Sequence, residues 1–165
     1  MFTTELAAAK AHSLLDGTNL SGATTILGAD TVVLTSRGVI FGQPENLDHA
    51  RHMLTQLMNG THRVVTAVAL VSVGTGGVET FADSTRVHLG RVEIKQVEAY
   101  LHDGKWMGKA GGYNLFELRE IWPFTFDGDP TTVVGLPMQS LAPALARRSI
   151  APERLPGSGP SMSGP

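Results

Sequence analysis

At 165 residues, with 42% apolar and 17% charged side chains, the chain is long enough to bury a core and too apolar to belong to the disordered class. A net charge of −2 gives no general attraction for polymeric nucleic acid or an anionic membrane surface, so an anionic ligand would need local cations. Cysteine is absent, which removes disulfides, thiolate metal sites and cysteine nucleophiles together. No apolar run approaches the roughly 20 residues of a membrane span. The opening MFTTELAAAK lacks the charged-then-apolar order of a signal peptide, and a cytoplasmic protein is the expectation.

In chain order, Glu5 to Leu15 is rich in Ala and Leu and predicts a helix with Lys10 in its middle. Thr25 to Leu34 (TILGADTVVL) reads as a strand, turned back at Thr35 to Gly38 into Val39-Ile40-Phe41. After the break at Gly42-Gln43-Pro44, the residues Ala50, Met53, Leu54, Leu57 and Met58 share one face of a helix over Leu47 to Met58. Val64 to Val73 is the most apolar run and predicts a central strand; Gly74 to Gly77 is a turn, and Glu79 to Leu89 a further strand. Glu93 to His102 predicts a helix with Ile94, Val97 and Leu101 facing inward. Lys105 to Glu120 crowds glycine with aromatics and reads as a loop that lets backbone approach something closely, followed by a short strand. Thr131 to Val134 reads as a strand, and Gly135-Leu136-Pro137 leads into a last helix that Pro143 should kink or restart. The expected organisation is one α/β domain of the α+β, mixed-sheet kind over residues 1–150, followed by a disordered Pro/Gly/Ser-rich tail over 151–165.

One residue in the first strand does not suit a core. A buried, unpaired carboxylate costs several kcal/mol, so Asp30 needs a reason. Either it is a strand-end or turn residue accepting backbone N–H bonds, or the strand ends at a cleft where Asp30 is a base or a metal ligand. His49 and His52 have a spacing that metal ligands use, but they fall opposite the apolar face of their helix and read as solvated. Gly74-Thr75-Gly76-Gly77 has no Lys-Ser/Thr after it and reads as a turn rather than a phosphate loop. Lys109 is one of only four lysines and sits among glycines, where a point cation could reach a phosphate or could be an ordinary surface lysine.

The order GADTVV, G-x-P, A-x-x-M-L-x-x-L, G-T-H-x-V-x-T-x-V-A-L, E-A-Y-L, K-A-G-x-Y and V-V-G-L-P resembles the Maf family of nucleoside triphosphate pyrophosphatases. In this chain the pieces are Gly28 to Val33, Gly42 to Pro44, Ala50 to Leu57, Gly60 to Leu70, Glu98 to Leu101, Lys109 to Tyr113 and Val133 to Pro137. The resemblance implies a Maf/inosine-triphosphatase-like two-lobed fold with a central cleft, and hydrolysis of nucleoside triphosphates to a monophosphate and pyrophosphate. It further implies a divalent metal cation (Mg or Mn) and a homodimer. It places the proton acceptor, with metal binding, on Asp30, and substrate binding on Lys10, Thr31 and Lys109, with Thr31 in the set of the branch that prefers dTTP and UTP.

Three departures accompany it. The family's S-x-S-P-R-R loop has no counterpart here, so either the true chain starts earlier or this is a shortened member. The lysine of the family's G-K-P is Gln43, and the glutamine of its Y-x-I-Q is Phe116. Losing about three charge-assisted contacts, each worth about 1.5–3 kcal/mol, would reduce activity by orders of magnitude. The alternatives to an active enzyme are therefore a catalytically impaired nucleotide-binding or interaction protein, or a fragment that needs a partner chain.

Overall fold

Two long antiparallel strands carry the architecture in the computed structural model, which describes residues 2–15, 20 and 22–151. The tail expected over 151–165 lies outside them apart from Ala151. The five strands are β1 (Thr25–Thr35), β2 (Ile40–Phe41), β3 (Gly60–Ser72), β4 (Val78–Leu89) and β5 (Phe124–Asp127), in the order β2-β1-β3-β4-β5. The expected α+β class is what is found, but the sheet is antiparallel rather than mixed. All four strand pairings are antiparallel, and the one parallel contact among the described residues is an isolated bridge between Met58 and Leu89. The most apolar run is indeed the centre of the sheet, and the glycine-rich Gly74 to Gly77 segment forms the β3–β4 turn.

Six helices flank the sheet: α1 (Phe2–His12), α2 (Leu47–Leu57), α3 (Ile94–His102), α4 (Leu115–Leu118), α5 (Pro130–Val133) and α6 (Met138–Arg147). They divide the core into three clusters. Around one half of β1 and β3, α1 packs Ala7 and Ala11 on Ile26, Ala67, Ala69 and Val71, while α6 packs Leu141 and Ala144 on Val68 and Leu70. Residues of opposite parity along a strand point to opposite faces, so the two helices lie on opposite sides of the sheet. Around the other half, the apolar face of α2 and α3 joins Val33, Val64, Val87, Leu89, Trp106, Tyr113 and Trp122 in the largest cluster.

Gly28 sets how close α1 comes. A Cβ at that position would stand 2.2 Å from the Ala7 carbonyl oxygen and 2.8 Å from the Ala11 nitrogen, so the helix lies nearer the sheet than any side chain permits. Its partner across the ladder is Ala69, another small residue.

Four further expectations are corrected. Thr131 to Val134 is not a strand: Asp129 accepts from the Thr131 N–H at 2.8 Å and Pro130 occupies the first turn, which nucleates α5 despite the β-branched run. Within Lys105 to Glu120, read as loop, the chain enters a helical turn, α4, after Tyr113, because Asn114 caps the Phe116 N–H at 3.0 Å; the short strand expected after it is β5. Ile94, expected inward, is 74% exposed because it opens α3 ahead of the turn that meets the core at Val97 and Leu101. Of the kink or restart expected at Pro143, the restart is not found, since α6 runs from Met138 to Arg147. The carbonyl that Pro143 leaves without an N–H belongs to Gln139, an exposed residue that water can serve.

Candidate active site

A cavity of about 650 Å³ opens beside the middle of β1, between the α1–α6 half of the sheet and the α2–α3 half. Its walls include Lys10, Asp30, Thr31, Gln43, Lys109 and Asn114. All four residues singled out from the sequence, Lys10, Asp30, Thr31 and Lys109, are therefore brought to one place.

Asp30 stands in the middle of the strand, not at its end as either sequence reading had it. It lies on the same face as Gly28, the face that α1 covers, and the last turn of α1 delivers Lys10 to it. The Lys10 Nζ donates to Asp30 Oδ1 at 2.6 Å and to the Ala29 carbonyl at 3.4 Å. The carboxylate is 12% exposed and the lysine 54%. A charge in the strand is thus tolerated because a cation reaches it and the cleft keeps one side wet.

Thr31, next along the strand, points to the other face. Its Oγ1 lies 2.9 Å from that of Thr66, and Thr66 donates its own proton to the Thr132 carbonyl at 2.7 Å. Thr31 is therefore the donor of the pair, and its oxygen keeps lone pairs free to accept from the cleft. Gly135 closes this wall with φ +99; a Cβ there would stand 3.4 Å from Thr31 Oγ1.

Lys109 comes from a turn with unusual backbone. Gly111 and Gly112 both have positive φ (70° and 76°), a combination that side chains resist, and they let the chain fold tightly under the lysine. The Gly111 N–H donates to the Gly42 carbonyl at 2.9 Å, which fastens this turn to the segment carrying Gln43. Lys109 makes no ion pair among the described residues. It is a free cation in the cleft wall.

Below that turn, Tyr113 and His62 form a buried polar pair that the sequence reading quoted but gave no role. His62 Nε2 and the Tyr113 hydroxyl are 2.7 Å apart, with the rings edge to face. His62 Nδ1 has no hydrogen-bond partner among the described residues. Which group donates follows the imidazole tautomer: protonated at Nε2 the ring donates to the Tyr113 hydroxyl, and protonated at Nδ1 it accepts from that hydroxyl. Burial, with a smaller contribution from His88, pushes His62 down to about 4 from an ordinary 6.5. The unfolded chain then binds a proton between those values that the folded chain refuses, so stability is full above pH 6.5 and falls as the pH drops toward 4. The expected loss is about 3 kcal/mol by pH 4. Urea unfolding at pH 7 and pH 4 should show it, and should show it reduced in His62→Gln.

Two further sequence expectations resolve here. His49 and His52 lie off the apolar face of their helix, as expected: His49 Nδ1 accepts from the Glu45 N–H at 3.4 Å, and His52 is exposed with its ring edge-on to Phe41. Phe116 does not line the cleft. It is 42% exposed under the Arg119 guanidinium, 5.2 Å from the ring centroid, and Asn114 faces the cavity instead.

The sheet, its flanking helices and a cleft with one carboxylate and two lysines define an α+β domain equipped to hold a polyanion beside a base. The family described as Maf-like protein matches residues 1–148, and the chain belongs to that family. It is 40% identical over 140 residues to the dTTP/UTP pyrophosphatase of Brucella abortus (strain 2308), covering 84% of this chain and 66% of that protein. The dTTP/UTP pyrophosphatases of Shouchella clausii (strain KSM-K16) and Salinibacter ruber (strain DSM 13855 / M31) are 37% and 39% identical. They are matched over 77% and 70% of this chain and 65% and 57% of their own length. The chain thus spans less than two thirds of the length of these relatives.

Proposed function

We propose that the protein is a cytoplasmic nucleoside triphosphate pyrophosphatase that prefers dTTP and UTP and hydrolyses the bond between the α and β phosphates. The observation that carries this reading is the convergence of Asp30, Lys10, Thr31 and Lys109 on one cleft. Splitting a phosphoanhydride needs an aimed water, a group to take its proton, and donors for the charge on the departing pyrophosphate. Asp30, fixed on a strand, takes the proton; Lys109 and Lys10 face the phosphates. Thr31 presents an acceptor to the cleft, which suits thymine and uracil, whose N3 carries a hydrogen, and does not suit cytosine, whose N3 is itself an acceptor.

A divalent cation, Mg²⁺ or Mn²⁺, fits this donor set. Asp30 is the one carboxylate lining the cavity among the described residues, and Mg²⁺ is typically held by one or two carboxylates together with substrate phosphates and water. Once bound it would neutralise phosphate charge and help lower the pKa of a water.

A second reading, a nucleotide-binding protein with impaired catalysis, is favoured by Gln43, a neutral amide in the cleft wall where the family carries a lysine. The deciding experiment is pyrophosphate release from dTTP, UTP, CTP and GTP with Mg²⁺ or Mn²⁺. Release from dTTP and UTP exceeding that from CTP and GTP is the expected result. No release from any of them by a folded protein that still binds dTTP would establish the second reading.

A further inference from the structure

We infer that His62 is a positioning residue of the cleft: by its hydrogen bond to Tyr113 it fixes the glycine turn that presents Lys109. The inference rests on the proposed role of Lys109 as a phosphate ligand and extends it to a buried pair outside the reacting groups.

His62 is 3% exposed and Tyr113 is 4% exposed, both within a cluster otherwise built of aliphatic and aromatic side chains. A polar pair there is dispensable for packing, since a Phe and a Leu would fill the space without leaving Nδ1 unsatisfied. What the pair adds is direction. Tyr113 already stacks on Phe124, with centroids 5.3 Å apart, which sets the plane of its ring but leaves it free to slide within that plane. The bond to His62 Nε2 removes the sliding freedom by tying the hydroxyl to a residue of β3 that is hydrogen-bonded on both sides, opposite Thr35 and Val87.

The tie reaches Lys109 through the three intervening residues of tightly folded chain, Ala110 to Gly112. Gly112 N–H donates to the Lys109 carbonyl at 3.0 Å, Gly111 N–H to the Gly42 carbonyl, and Lys109 N–H to the Trp106 carbonyl at 3.2 Å. A Cβ on Gly111 would stand 2.9 Å from Val33 and 3.3 Å from Leu57, so the turn sits flush on the core. Three glycines at positive φ, Gly108, Gly111 and Gly112, are the softest backbone in this segment. Anchoring at Tyr113 on one side and at Trp106 on the other holds that soft backbone, and the lysine with it, over the cleft.

The test is a double-mutant cycle read by binding of dUTP with an α,β-imido bridge in the presence of Mg²⁺. Tyr113→Phe, which keeps the ring stack and loses the hydroxyl, is expected to weaken binding about tenfold, and to have no further effect in a Lys109→Ala background. His62→Leu should match Tyr113→Phe, whereas His62→Gln, whose amide can offer either a donor or an acceptor to the Tyr113 hydroxyl, should restore most of the affinity. Equal weakening by Tyr113→Phe with and without Lys109, or no weakening while Lys109→Ala does weaken binding, overturns the inference and leaves the Lys109 reading intact. If Lys109→Ala leaves binding unchanged, the reading of Lys109 as a phosphate ligand falls, and the inference with it. Loss of melting temperature alone, without the coupling to Lys109, also overturns it, because a merely structural pair would produce that.

Discussion

Asp30→Asn is expected to lower pyrophosphate release from dTTP or UTP by about 10²- to 10⁴-fold, the range a positioned general base supplies. Asn keeps the shape of the side chain and removes the charge. It therefore also weakens the hold on Lys10, whose ammonium now donates to the charged Asp30 Oδ1 at 2.6 Å. Since Lys10 is more than half exposed, losing this pair costs the fold little, and the melting temperature should stay close to that of the parent. With its ion pair gone the lysine is more available to phosphate, so affinity for an uncleavable nucleotide analogue should hold or rise in metal-free buffer while turnover falls. Turnover within threefold of the parent would remove Asp30 from the chemistry.

Gly28→Ala is expected to be among the most destabilising single-methyl additions in the protein, at about 3 kcal/mol, the upper end for overpacking. The added carbon would meet the Ala7 carbonyl oxygen at 2.2 Å and the Ala11 backbone nitrogen at 2.8 Å, and neither is the end of a flexible side chain that can swing aside. Helix α1 must lift. Because α1 carries Lys10, the same methyl also moves the ammonium away from Asp30, so activity should fall with stability. Gly42→Ala is the control: nothing lies within 4 Å of its Cβ, and no loss of stability is expected. A drop in melting temperature of roughly 10 °C for the first and none for the second is the expected pattern. Equal melting for both would mean that α1 does not rest on the sheet.

What could be read beforehand follows the strength of local signals. The strands from Thr25 to Leu89 and helices α2 and α3 were legible because apolar periodicity there is long and is punctuated by turn residues. Asp30 was legible because a charge within an apolar run has few explanations. The errors cluster after Gly104, where elements are too short for periodicity. There, caps decide the structure: Asp129 with Pro130 announces α5, and Asn114 announces α4, both signals available in the sequence and outweighed by the β-branched and glycine-rich neighbours. His62 and Tyr113 were quoted within motifs but could not be paired, since 51 residues separate them and only the return of the chain after α3 brings the rings together. The closeness of α1 to Gly28 was equally out of reach, because a glycine in a strand says that something comes near and not what. That Phe116 stands apart from the cleft was also out of reach: the helical turn at α4 leaves that side chain outside the cavity wall and Asn114 within it.

The two sides of the cavity are joined by β1 and β3, unbroken ladders of 11 and 13 residues that run past the opening from one core cluster into the other. Enzymes that clamp down on a substrate by swinging rigid halves do so about a few unpaired residues that absorb the rotation. Here the joint is hydrogen-bonded along its whole length. Any narrowing of the gap must be spread as a small increment of twist over many peptide units, so substrate should enter a mouth already near its working width, with association governed by diffusion and charge rather than by a slow gating step.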